Sequence, residues 1–122
     1  MEVIITLVNE NELKLRDQTI YFDYPIENTI SFQDRIFILL KIPTRVPLSH
    51  NELNNVHCYT ISGDKLWQIC PQGLKGREEM KSVPYVGLNL EKNNNLFATD
   101  FMGRKFQVDV NDGKIIDMQI VK

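Results

Sequence analysis

The chain has 122 residues, 43% of them hydrophobic and 25% charged, with a formal net charge of −2. That length is one domain, and that apolar share is enough for a core, which excludes an intrinsically disordered chain. The faintly acidic balance argues against a nucleic-acid backbone as partner, because phosphate binding leaves a basic footprint.

In chain order, residues 3–8 read as an apolar strand interrupted by Thr6. Glu2 stands where an export signal wants a cation, and the run is too short for a signal h-region or a membrane span. Neither end carries a lipidation signal. The expectation is a cytoplasmic protein with no membrane partner, in which Cys58 and Cys70 are free thiols. Two cysteines allow at most one bridge, so the chain is not a disulfide scaffold. Residues 13–16 and 19–24 flank a turn at Asp17-Gln18, and Pro25, which cannot donate to a ladder, ends the second of these strands. Ile30 and Phe32 alternate with Thr29, Ser31 and Gln33, and Asp34 turns the chain into 36–42. That run, IFILLKI, is apolar on both faces, so it is expected to be a central strand covered from two sides.

A first long connection, 43–53, contains Ser49-His50-Asn51-Glu52, the pattern of a capping box, and predicts one helical turn. Strands at 55–61 and 65–70 turn through Ser62-Gly63-Asp64. A second long connection, 71–84, holds two glycines, two prolines and five charges. It is longer than a compact domain usually needs, which points to a mobile or functional segment. The last strands are 85–90, 96–101, 105–110 and 114–121. About ten short strands with no helical period make an all-β antiparallel meander.

Residues 54–69 and 94–109 match at an offset of 40, with Asn54/Asn94, Asn55/Asn95, Gly63/Gly103 and Lys65/Lys105 identical. The glycines stand where a tight turn needs positive φ, and the small pair Cys58/Ala98 stands mid-strand where a neighbouring sheet can approach. Leu96-Phe97-Ala98-Thr99-Asp100 with Asp112-Gly113-Lys114-Ile115-Ile116 resembles the quinoprotein-type β-propeller repeat, as does Val56-His57-Cys58-Tyr59 with Gly63-Asp64-Lys65-Leu66-Trp67. The resemblance covers about half the chain and departs from the pattern at Asp117, where a tryptophan belongs. It implies fold flavour alone, with no quinone and no functional residue carried over. A closed ring needs at least about four blades, so three arrangements stay open. The strands curl into a barrel or sandwich, an open sheet is capped by a partner, or identical chains complete a ring; a self-contained stack, barrel-like or of two to three blade-like units, is the favoured one.

Chemistry is sparse. His50, His57, Cys58 and Cys70 have no metal-ligand spacing, and His57 and Cys58, adjacent on a strand, point to opposite faces. No serine sits on a nucleophile elbow, and no cysteine has a patterned base. Asp100 with Asp109 or Asp117 offers a carboxylate pair, but aspartates at strand ends more often cap turn amides. Gly73 to Arg77 lacks the ending of a phosphate loop. Trp67 and the strand aromatics read as core, and Arg104-Lys105-Phe106 is the one place where cations interleave with an aromatic. The expectation is a small non-catalytic protein–protein interaction module of bacterial type, in its narrower form an inhibitor or immunity-type protein, without cofactor or metal. Its specificity would lie in the connections 43–53 and 71–84. The alternative is a binder of a small apolar or sugar-like ligand in a barrel mouth or propeller funnel.

Overall fold

A computed structural model describes residues 5–72 and 82–120. Eleven antiparallel strands fall into three small sheets, each built from strands consecutive in sequence. The first holds β1 (Ile5–Asn9), β2 (Glu12–Leu15) and β3 (Gln18–Tyr21). The middle one holds β4 (Ile26–Phe32), β5 (Arg35–Leu40), β6 (Val56–Thr60) and β7 (Lys65–Gln68). The last holds β8 (Tyr85–Glu91), β9 (Asn95–Asp100), β10 (Arg104–Val108) and β11 (Ile115–Ile120). One helical turn, α1 (His50–Leu53), lies in the first long connection, where the capping-box pattern places it.

The sheets stack as three layers, and none closes on itself, so the barrel expectation is corrected. The reason lies in β5. Its residues from Ile36 to Leu40 are all buried, and successive side chains of a strand point to opposite faces. Phe37 and Leu39 join Val56, Cys58, Trp67, Leu88, Leu96, Ala98 and Phe106 between the middle and last sheets. Ile36, Ile38 and Leu40 meet Leu13 and Leu15 between the first and middle sheets. A strand apolar on both faces needs a sheet on each side, and a stack of sheets covers both faces of β5 where a barrel of this size would turn one face to solvent.

The turns follow local chemistry. Gly63, Gly103 and Gly113 have φ of +100°, +82° and +78°, values that cost other residues strain. A Cβ on Gly113 would stand 2.6 Å from the Trp67 ring. The first hairpin turns one residue earlier than expected. Leu15 pairs with Gln18, and Arg16 carries a φ of +54°. That register puts Leu13 and Leu15 on the middle sheet, and a slip of one residue would turn both outward. Pro25 immediately precedes β4 instead of ending β3, and its carbonyl accepts from the Lys41 amide.

Cys58 and Ala98 face the same interlayer core, as the small pair implied. The offset of 40, however, matches the third and fourth strands of the middle sheet with the second and third of the last. By sheet position, β6 corresponds to β10 and β7 to β11.

Candidate functional site

Both long connections reach the same end of the stack. There β4 begins, β5 ends, β8 begins and β9 ends, and an apolar groove of about 430 Å³ opens between the middle and last sheets. Pro43, Thr44 and Leu48 of the first connection form one wall, and Val83 and Pro84 of the second form part of the other. Leu40 and Tyr85 lie deep in it, while Val86 and Phe101 stand at its rim. Phe101 is 69% exposed, Val86 52% and Leu48 47%. Glu27 and Lys41 bring one charge of each sign to the lining.

The floor is held by Asn55, whose exposure is 0%. Its side-chain amide donates to the Leu40 carbonyl at 2.7 Å and the Tyr85 carbonyl at 2.8 Å. Its side-chain oxygen accepts from the Tyr85 amide at 2.8 Å. One side chain thus does for β5 and β8 what a ladder does between paired strands. The Phe101 amide donates to the Pro84 carbonyl at 3.0 Å and fixes the Phe101 rim to the wall that Pro84 forms. Beyond Leu48, the Ser49 amide donates to the Glu52 carboxylate at 2.9 Å, the Ser49 hydroxyl reaches the same carboxylate, and the Tyr24 hydroxyl donates to it at 2.8 Å. These donors hold the Glu52 carboxyl down at about 2 and set α1 beside the wall.

The residues weighed for chemistry are spread apart. Cys58 is buried in the interlayer core and its thiol is pushed up to about 12, chiefly by burial; a thiol held neutral is a poor nucleophile. Cys70 is also a free thiol. His57 points to the other layer, as adjacent strand positions require. Burial, with Lys65 nearby adding a smaller effect, pushes its imidazole down to about 4. His50 sits in α1 against Asn54. No cluster of three metal-ligating side chains forms among the described residues.

Asp100 is locked, one oxygen accepting the Met102 and Arg104 amides and the other the Arg104 guanidinium at 2.8 Å. Asp109 accepts the Asn111 amide and Asp117 the Met118 amide. All three serve turns or neighbouring amides rather than a shared reaction centre. In the Arg104-Lys105-Phe106 run, Arg104 and Phe106 are buried. Lys105 pairs with Glu91 at 2.6 Å and lies 4.4 Å from the centre of the Phe97 ring. Trp67 is core, packed on Phe37 with its indole N–H donating to the Val110 carbonyl at 3.0 Å.

Two aromatics assigned to packing are exposed, Tyr21 at 71% and Phe101 at 69%. The period-2 pattern carries the signal. Leu96, Ala98 and Asp100 face inward, so Phe101 falls on the opposite phase as well as at a turn. Lys75, Arg77 and Lys81, and the run from Gly73 to Arg77, lie outside the described residues.

A family model described as "Domain of unknown function (DUF7957)" matches residues 4–120, which spans all three sheets. The chain belongs to this family. No curated protein matches the chain. The match runs through the groove-lining residues and Asn55 alike, so the groove lies within the family's domain. No helix among the described residues is long and apolar enough to cross a membrane.

Proposed function

We propose that this chain is a small non-catalytic protein-interaction module whose docking face is the groove between the middle and last sheets. One observation carries the reading. Leu48, Val86 and Phe101 stand around a cleft framed by both long connections. A small molecule seated in the groove would leave these rim side chains in water, whereas a protein surface covers rim and floor together. The occupant is a partner protein presenting an apolar anchor. A modestly acidic inhibitor or immunity-type protein that covers a basic partner site is the narrower form of the same reading. The buried Cys58 thiol and the carboxylates engaged with amides support a non-catalytic role. The two free thiols support a reducing, cytoplasmic compartment.

Phe101→Asp and Leu48→Asp test it, since both side chains are exposed and the fold should tolerate the change. Affinity capture with the wild-type chain supplies a partner, and titration with that partner purified gives the affinity. Each variant is expected to raise Kd at least about ten-fold. An unchanged Kd in both, with native circular dichroism, would remove the groove from the interface. Light scattering decides what kind of protein the occupant is. A monomer of 14.2 kDa points to a different chain, and a stable dimer or trimer lost in Phe101→Asp makes the occupant a second copy. Removing Glu78 and Glu79, which lie outside the described residues, is expected to weaken the same association.

A further inference from the structure

The turn joining β9 to β10 departs from the chemistry of the others. Hairpin tips elsewhere among the described residues are polar, Gln33-Asp34, Ser62-Gly63-Asp64 and Asn111-Asp112 among them, as turn residues facing water usually are. Here the tip is Phe101-Met102, 69% and 66% exposed. The turn itself needs neither side chain. Asp100 closes it, its carbonyl accepting from the Gly103 amide at 3.0 Å and its carboxylate from the Met102 amide at 3.0 Å, and Gly103 supplies the φ of +82°. Two large apolar side chains are thus held out on a fixed support, which lowers the ordering cost of an anchor.

Their place narrows the occupant of the groove. Phe101 stands at the rim, whereas Met102 does not line the groove of its own chain. Knob and hole therefore lie at the same end of one molecule. A second copy turned by a twofold axis offers its knob to the first groove and receives the first knob in its own. Such a contact closes as a dimer and does not propagate.

The charges fit the same operation. Glu27 and Lys41 both line the groove and are both exposed. Among the described residues neither is in an ion pair. One free charge of each sign in a single patch is self-complementary, because a twofold contact that sets one residue on another also sets the second on the first. The net charge of −2 leaves little repulsion between copies.

We propose that the occupant of the groove is a second copy of this chain, in a twofold dimer where Met102 of each copy anchors in the groove of the other and Glu27 of each meets Lys41 of the other. The dimer rests on the groove being a docking face and names the protein that fills it.

Sedimentation equilibrium of the full-length chain, from micromolar to near-millimolar concentration, reads the association. The mass is expected to rise toward twice 14.2 kDa. Met102→Glu should weaken the dimer at least about ten-fold. Glu27→Lys and Lys41→Glu should each weaken it several-fold by setting like charges face to face. The double variant, Glu27→Lys with Lys41→Glu, should restore it, a rescue that binding to a different protein would not show. A monomer throughout the range, a dimer indifferent to Met102→Glu, or a double variant no tighter than either single one overturns the proposal. Should Met102→Glu fail to fold, the charge reversals decide alone. A monomeric chain leaves the docking reading to the Phe101→Asp and Leu48→Asp titrations with a captured partner, where an unchanged Kd removes that reading as well.

Discussion

The two faces of β5 support interfaces of different quality. Toward the last sheet, Phe37 and Leu39 enter a cluster rich in large side chains, Trp67, Tyr85 and Phe106 among them. Polar cross-ties reinforce it. Arg35 and Trp67 both donate to the Val110 carbonyl, at 2.6 and 3.0 Å, Asn28 donates to the Leu88 carbonyl, and Asn55 joins Leu40 to Tyr85. Toward the first sheet, Ile36, Ile38 and Leu40 meet Leu13 and Leu15 as buried partners among the described residues. The side-chain ties there include Arg16 to Ser62 at 3.4 Å and Tyr24 to Glu52. A cavity and an unpaired imidazole nitrogen remain. The comparison teaches that large side chains and polar cross-ties fill one interlayer, where the Tyr85 hydroxyl is itself left without a partner among the described residues, while smaller side chains leave a cavity in the other.

The largest effect should come from the rigid side. Asn55→Ala strands the Tyr85 amide and carbonyl and one bond to Leu40, so it is expected to cost about 3–5 kcal/mol, at roughly 1–3 for each buried group left unpaired. Urea unfolding measures this. A cost near the ~0.5 kcal/mol of ordinary surface changes would mean that the middle and last sheets hold without their polar tie.

Acid should act next, and on the other side. His57 takes up its proton near 6.5 when unfolded but at about 4 when folded. Above about pH 6.5 the ring is neutral in both states and stability is flat. Between about 6.5 and about 4 the unfolded chain binds the proton first, so stability falls as pH falls, by on the order of 3 kcal/mol across the window. His57→Gln should abolish that part of the slope in denaturant midpoints taken near pH 7 and near pH 5. An identical slope in the variant would assign it to another group and weaken the contrast between the two layers.

The smallest effect concerns Glu52, partly exposed and tied to Ser49 and Tyr24. Its depressed carboxyl contributes stability that is present above about 4.5, the unfolded value, and is lost as pH falls through about 2. Glu52→Gln should therefore speed amide exchange at Leu53 and Asn54 near neutral pH. The difference from the wild type should vanish in strong acid. Equal exchange at neutral pH would show that Tyr24 keeps its place through packing alone.

Local physics made much of the fold legible. The capping pattern at Ser49 places α1, the glycines at 63, 103 and 113 place turns, and the two-sided apolar run of β5 places a central strand, because each depends on a few adjacent residues. The candidate site was legible only in outline. The two long connections were visible as candidates, but their meeting over one groove was not, since that depends on how β5 and β8 are brought side by side.

Asn54-Asn55 and Asn94-Asn95 are the same pair in sequence. Only stacking makes Asn55 a buried tie while Asn95 is partly exposed and meets Gln107. Tyr21 and Phe101 likewise look like any strand aromatics until the covering layer is known. By itself the sequence determined about ten strand-forming stretches, most of their turns, and a β5 that needs cover on both faces. The tertiary structure alone decided that three open layers stack rather than close. It also decided which polar side chains each layer satisfies, because burial is a property of what lies across the gap and not of neighbours along the chain.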